Sequence, residues 1–138
     1  MAKERTARDI MKTSVITIKE DSPVTNAIKL MARWEISGLP VLDNKGKLVG
    51  IVTGRLIMNT SINGNAGITS IAEVMSRDLE IYAPIYSPNT LVEELITRFA
   101  SSRVNRVLIM EEGKLVGIIS RIDIIYEIDR IYSQFVTS

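Results

Sequence analysis

The polar and apolar positions of this 138-residue chain fall into one pattern written twice. In the first half, Val15–Ile18 is a short run rich in β-branched residues that reads as a strand. "DSP" follows, which places Ser22 as an N-cap and Pro23 as the first helical residue. Val24, Ala27, Ile28 and Met31 then recur at helical spacing on one face. A strand begins near Ser37 in "SGLPVL", "DNKG" turns it, and Lys47–Thr53 returns as its partner. A further helix starts beyond Gly54. The second half predicts the same order: a strand at Leu79–Tyr82, then a helix with Leu91, Leu95 and Phe99 in register. Strands at Val107–Met110 and Leu115–Ser120 follow, and a helix from about Arg121 to Phe135 closes the chain. The predicted fold class is mixed α/β (α+β), with two tandem β-α-β-β-α units packed as a pseudo-two-fold body.

The duplication is also visible in the letters. "GKLVGI" occurs at Gly46–Ile51 and again at Gly113–Ile118, a shift of 67 (113 minus 46). That shift lays "SGLPVLDNKGKLVGIVTGRLI" over "VNRVLIMEEGKLVGIISRIDI". Upstream, "RDIMKTSVITIKEDSP" matches "AEVMSRDLEIYAPIYSP" with a small change of spacing. The expected boundaries are 7–58 and 71–132, joined by a linker over 59–70 that is rich in Asn, Gly, Ser and Thr. The Gly-Lys pair of the hexapeptide is not a phosphate loop, which needs a following helix; here a strand follows, so Gly46 and Gly113 are hairpin positions. A unit of roughly 60 residues buries too little core to stand alone, so the two copies are expected to pack together.

Composition removes chemistry more than it adds any. Seventeen basic residues against 16 acidic leave a net charge of +1, without the basic excess that phosphate backbones attract. With no cysteine and no histidine there is no thiolate nucleophile, no thiolate metal site and no imidazole base. No catalytic residue, metal ligand or cofactor is assigned, and an enzyme is the least expected class. No apolar run is long enough to span a bilayer, and the charged opening "MAKERTARD" lacks the apolar stretch of a signal peptide. The expected location is cytoplasmic, with neither membrane nor nucleic acid as partner.

Five short motifs carry a family likeness: "DIM" (Asp9–Met11), "EVM" (Glu73–Met75), "SGLPVLD" (Ser37–Asp43), the doubled "GKLVGI", and "SRID" (Ser120–Asp123). Their order and duplication resemble the CBS domain in tandem pairs, known as Bateman modules, over roughly residues 7 to 130. The resemblance implies two clefts that take adenosine-containing ligands: AMP, ADP, ATP, S-adenosylmethionine or NAD-type molecules. It implies a stand-alone sensing role in which occupancy alters an unidentified regulated protein, and frequent pairing into dimers. The terminal helix, with so much apolar surface, fits a homodimer contact.

Within that resemblance "SRID" reads two ways. Ser120 ends a strand and Asp123 follows in the first helical turn, which is an ordinary N-terminal cap. The same junction suits a nucleotide: free backbone N–H groups and the Ser120 hydroxyl for phosphate, and the Asp123 carboxylate for the two ribose hydroxyls. Ser/Thr-x-x-Asp binds nucleotide in this way in the family. The first half has Thr53 at the hydroxyl position but Leu56 in place of the acid, so one competent cleft and one degenerate cleft are expected. The resemblance adds Ser22, Ala27, Ile36, Ser37, Leu39 and Pro40 opposite Asp123, with Ile118 as an apolar wall and Arg121 for phosphate. Core packing and capping account for several of these equally well. Thr53, Arg55, Asn105 and Arg106 form the weaker second site. The remaining alternatives are a ligand-free scaffold and a sensor of S-adenosylmethionine or NAD.

Overall fold

The computed structural model describes residues 4–61, 64 and 67–136. In chain order the elements are α1 (Ala7–Ile10), β1 (Ile18–Lys19), α2 (Val24–Trp34), β2 (Gly38–Leu42) and β3 (Leu48–Thr53). Next come α3 (Gly54–Ser61), α4 (Ile71–Val74), α5 (Leu79–Tyr82) and β4 (Ile85–Tyr86). The chain ends with α6 (Val92–Ser101), β5 (Arg106–Glu111), β6 (Lys114–Ser120) and α7 (Arg121–Val136). Two three-stranded sheets form, with orders β1-β2-β3 and β4-β5-β6. Each has a parallel first pair and an antiparallel second pair. Ile18 lies opposite Val41, and Ile85 opposite Leu108, positions related by the same shift of 67.

Three local expectations need correction. The strand expected at Leu79–Tyr82 is instead the helical turn α5, and the parallel strand is Ile85–Tyr86. Arg98 packs against this turn. Its guanidinium donates to the Glu80 carbonyl at 3.3 Å and to the Glu80 carboxylate at 2.7 Å. The run Val15–Ile18 contributes only its last residue to β1. Ser22 is not the N-cap of α2, because Pro23 occupies that position and no side chain caps the helix. The Val24 N–H finds the Thr69 carbonyl at 2.8 Å, while the Ser22 carbonyl accepts from Ile71 at 2.8 Å. Part of the linker region is therefore structural. Of the linker expected over 59–70, residues 62, 63, 65 and 66 lie outside the described residues.

The compact units are not the two sequence repeats. Ile16–Leu79 forms one, and the segment ending at Val15 joins the segment beginning at Glu80 to form the other. Each repeat therefore lends its opening segment to the other repeat's sheet. In the first unit Ser76 and Ile51 exchange backbone hydrogen bonds of 2.8 and 2.9 Å. In the second, Lys12 and Ile118 exchange two of 3.0 Å. The doubled hexapeptide fits both needs. Gly46 and Gly113 turn the hairpins with φ of 83° and 76°, a region that costs a side chain strain. Gly50 and Gly117 make room for the crossing segment: a Cβ on Gly50 would sit 2.6 Å from the Ser76 carbonyl oxygen, and one on Gly117 would meet the Met11 side chain.

Apolar faces close each unit separately. Val24, Ala27, Leu39, Val41, Val52 and Ile71 are fully buried in one core, with Leu30 and Met31 packed against it. Ile28, expected on that face, is 37% exposed because the helix turns its Leu30–Met31 edge inward. Ala7, Leu95, Val107, Ile109 and Ile119 form the other core. Along α7, Ile124 and Ile128 pack inward while Ile122, Ile125, Tyr126, Tyr132 and Phe135 are exposed.

Gly50→Ala is expected to lower unfolding stability by about 1–3 kcal/mol, since the new methyl meets backbone and something must shift. Denaturant titration measures this, and an unchanged midpoint contradicts the close crossing at Ser76.

Candidate functional site

The β6–α7 junction concentrates the polar residues singled out in the sequence. The Ser120 backbone N–H donates to Asp123 Oδ2 at 2.8 Å, and the Ser120 hydroxyl donates to the same oxygen at 2.9 Å. This satisfies donors that a helix start leaves without partners. Two other helices begin in the same way, with Thr6 and Asp9 at α1 and Ser70 and Glu73 at α4. Capping therefore explains the spacing of Ser120 and Asp123. It does not explain burial: Asp9 and Glu73 are exposed, whereas Asp123 keeps only 9% exposure. Its second oxygen, Oδ1, lies 3.4 Å from Lys12 Nζ. A carboxylate has about four acceptor positions, so Oδ1 retains capacity beyond that ammonium.

Asp123 also lines a hollow of about 240 Å³ in its own unit, with Asp9, Ile10, Tyr126 and a charged cluster that single-residue motifs did not reveal. In that cluster the buried Glu127 carboxylate is clamped by two guanidinium groups. Arg5 donates through Nε at 3.1 Å and Nη2 at 3.0 Å; Arg130 donates through Nε at 2.9 Å and Nη2 at 3.0 Å. Bonds from Arg130, and then from Arg5, pull the Glu127 carboxyl down to about 2 against the opposing cost of burial. The Glu127–Arg130 spacing is readable on a helix, but Arg5 is 122 positions away and no local pattern points to it.

The other residues named from the sequence are distributed as follows. Ile118 is half-buried and holds Lys12 through its backbone. Arg121 is exposed, with its guanidinium turned to the Val104 carbonyl at 3.5 Å and its N–H bonded to Asn105 O. Arg106 stands opposite Ser120 in the sheet; it is buried, donates to the Tyr82 carbonyl at 3.3 Å, and has its pKa lowered by that burial. Asn105 is exposed.

In the unit Ile16–Leu79, Ala27 and Leu39 belong to the core, Pro40 is fully buried, and Ile36 packs on the same core. Ser22 is half-buried; Ser37 is exposed, and its carbonyl accepts from Gly54 at 3.0 Å. At the corresponding helix start, the Thr53 hydroxyl accepts the Leu56 N–H at 3.2 Å, Leu56 joins the apolar core, and Arg55 is exposed. One helix start thus carries a buried acid and its duplicate carries an apolar anchor.

A family model described as CBS domain matches this chain twice, over residues 7–62 and 71–130. The chain belongs to the CBS-domain family. Relatives include the CBS domain-containing protein YhcV of Bacillus subtilis, 30% identical over 82% of this chain and 78% of its own length. The inosine-5'-monophosphate dehydrogenase of Methanocaldococcus jannaschii is 33% identical over 86% of this chain, which spans only 23% of that enzyme. Among solved structures, CBSX2 in complex with AMP has a TM-score of 0.76 at 21% identity, covering 93% of this chain and 98% of that one. The CBS domain pair of MJ0100, in complex with 5'-methylthioadenosine and S-adenosyl-L-methionine, has a TM-score of 0.74 at 23% identity, covering 96% and 98%. At these identities the structures establish the shared CBS-pair fold.

The Glu127 clamp gives a pH signature. Its carboxyl titrates near 2 in the fold and near 4.5 when free, so its stabilisation is complete above about pH 5 and disappears as pH falls through about 2. Glu127→Gln is expected to cost roughly 2–3 kcal/mol near neutrality, with the gap to the parent closing toward pH 2. Denaturant midpoints across that range measure it, and a gap independent of pH contradicts the clamp.

Proposed function

We propose that this CBS-domain pair is a regulatory module that binds one adenosine nucleotide, of the AMP, ADP or ATP class, and relays its occupancy to a partner protein. Asp123 accepts from the ribose 2′ and 3′ hydroxyls. The start of α7 receives phosphate, where the helix dipole favours negative charge, with the Ser120 hydroxyl turning its single proton from Asp123 Oδ2 to the phosphate while the Ser120 N–H keeps the cap. The observation that carries this reading is the buried Asp123 carboxylate at a helix start whose duplicate holds Leu56. That asymmetry supports one competent site per chain. Two structures with this fold hold ligands built on adenosine, which supports the ligand class. No catalytic role is assigned, because the dehydrogenase relative is matched over only 23% of its length.

Titration calorimetry of the chain with AMP, ADP and ATP is expected to show one site. Asp123→Ala should weaken it at least tenfold, about 1.4 kcal/mol, without unfolding the protein. Parent-like affinity in that variant contradicts the ribose assignment, and silence of the parent toward every adenosine compound at millimolar concentration favours a scaffold. The exposed apolar residues of α7 are the surface we assign to a second copy of the chain. Sedimentation is expected to show a dimer that Ile125→Asp dissociates; a parent that stays monomeric removes that assignment.

A further inference from the structure

Lys12 reaches Asp123 from the other end of the sequence, and the duplication provides an internal control. Lys12 is the crossing residue paired with Ile118, and the residue paired in the same way with Ile51 is Ser76. Ile118 and Ile51 are related by the repeat shift of 67, so Ser76 is the counterpart of Lys12, just as Leu56 is the counterpart of Asp123. The half with the carboxylate has the ammonium; the half without one lacks the other.

Asp123 does not need Lys12 for its place in the helix cap, since both bonds from Ser120 go to Oδ2. The ammonium sits at Oδ1, 3.4 Å away, on a side chain that is 67% exposed. Such a pair is weak and easily displaced. A ribose diol that takes Oδ1 as acceptor moves the ammonium aside. The Lys12 backbone stays fixed by its two bonds to Ile118, so the freed charge remains at the mouth of the site on a flexible stem. A ligand bearing an anion beside its sugar offers that charge a new partner. A neutral ligand offers none, and a cationic one repels it.

We propose that Lys12 is a specificity-determining residue that makes the Asp123 site prefer phosphorylated adenosine ligands over neutral or cationic ones. This rests on the reading that Asp123 holds the ribose. The side chain can be replaced without touching the backbone pairing, so the fold should tolerate it.

Calorimetry with AMP, adenosine and S-adenosylmethionine on the parent, Lys12→Met and Lys12→Arg tests the proposal. Lys12→Met is expected to weaken AMP about five- to tenfold, the range of one charge-assisted contact, and to leave adenosine within about twofold. Lys12→Arg should retain the preference for AMP. S-adenosylmethionine should bind Lys12→Met more tightly than it binds the parent. An unchanged ratio of AMP to adenosine affinity in Lys12→Met overturns the proposal while leaving the ribose site intact, provided Asp123→Ala still weakens binding at least tenfold. If no adenosine compound binds the parent, or Asp123→Ala binds normally, the ribose reading falls and this proposal falls with it.

Discussion

Two backbone hydrogen bonds between Lys12 and Ile118 hold the opening segment across β6, and the rest of the candidate site follows from them. They bring together residues separated by most of the chain, a closure whose entropy grows only slowly with loop length. Once the segment is seated, Met11 packs against Gly117, the Lys12 ammonium reaches Asp123, and Arg5 reaches Glu127. Without the crossing, Glu127 would keep Arg130 but lose the two bonds from Arg5, and Asp123 would keep its Ser120 cap but lose the Lys12 ammonium. The glycine at the centre of the pairing has a clear function: it is the position where a side chain has no room.

Duplication supplied both sheets, and divergence made them unequal. The parallel strand pairings and the glycine turns repeat across the 67-residue shift, while the β5–β6 hairpin register is displaced by one residue from that of β2–β3 and the crossing residues Lys12 and Ser76 lie 64 apart. The helix starts after β3 and β6 do not repeat. Thr53 spends its hydroxyl on the Leu56 N–H and leaves an apolar side chain to strengthen a core. Ser120 instead closes on a buried acid. The first arrangement favours stability; the second retains a polar group in a place where burial disfavours it, which physical reasoning associates with function more than with packing.

Much of this was legible in the chain itself. The repeated hexapeptide placed the hairpins, and "SRID" against "TGRL" placed the asymmetry. Helical periodicity located α2 and α6, apart from the outward turn of Ile28. Other features were not legible, for physical reasons. "LEIY" alternates like a strand, yet it forms a helical turn, against which Arg98 bonds at Glu80, and the parallel strand falls later at Ile85–Tyr86. Ser22 looks like a cap, yet Thr69 supplies the missing acceptor from a stretch that reads as linker. Lys12 and Arg5 carry no motif at all, since their meaning comes from the exchange of opening segments, and that exchange is a tertiary event. Ala27, Leu39 and Pro40, assigned by resemblance to ligand contact, are buried, Ala27 and Leu39 within the core of their unit.

In the proposed reading one carboxylate, fixed by a helix cap, grips both hydroxyls of a ribose. Comparing the affinity of AMP with that of its 2′-deoxy analogue tests it most directly. Loss of one hydroxyl should weaken binding about tenfold, the cost of leaving a charged acceptor without its donor. Equal affinity of the two nucleotides for the parent chain contradicts the account.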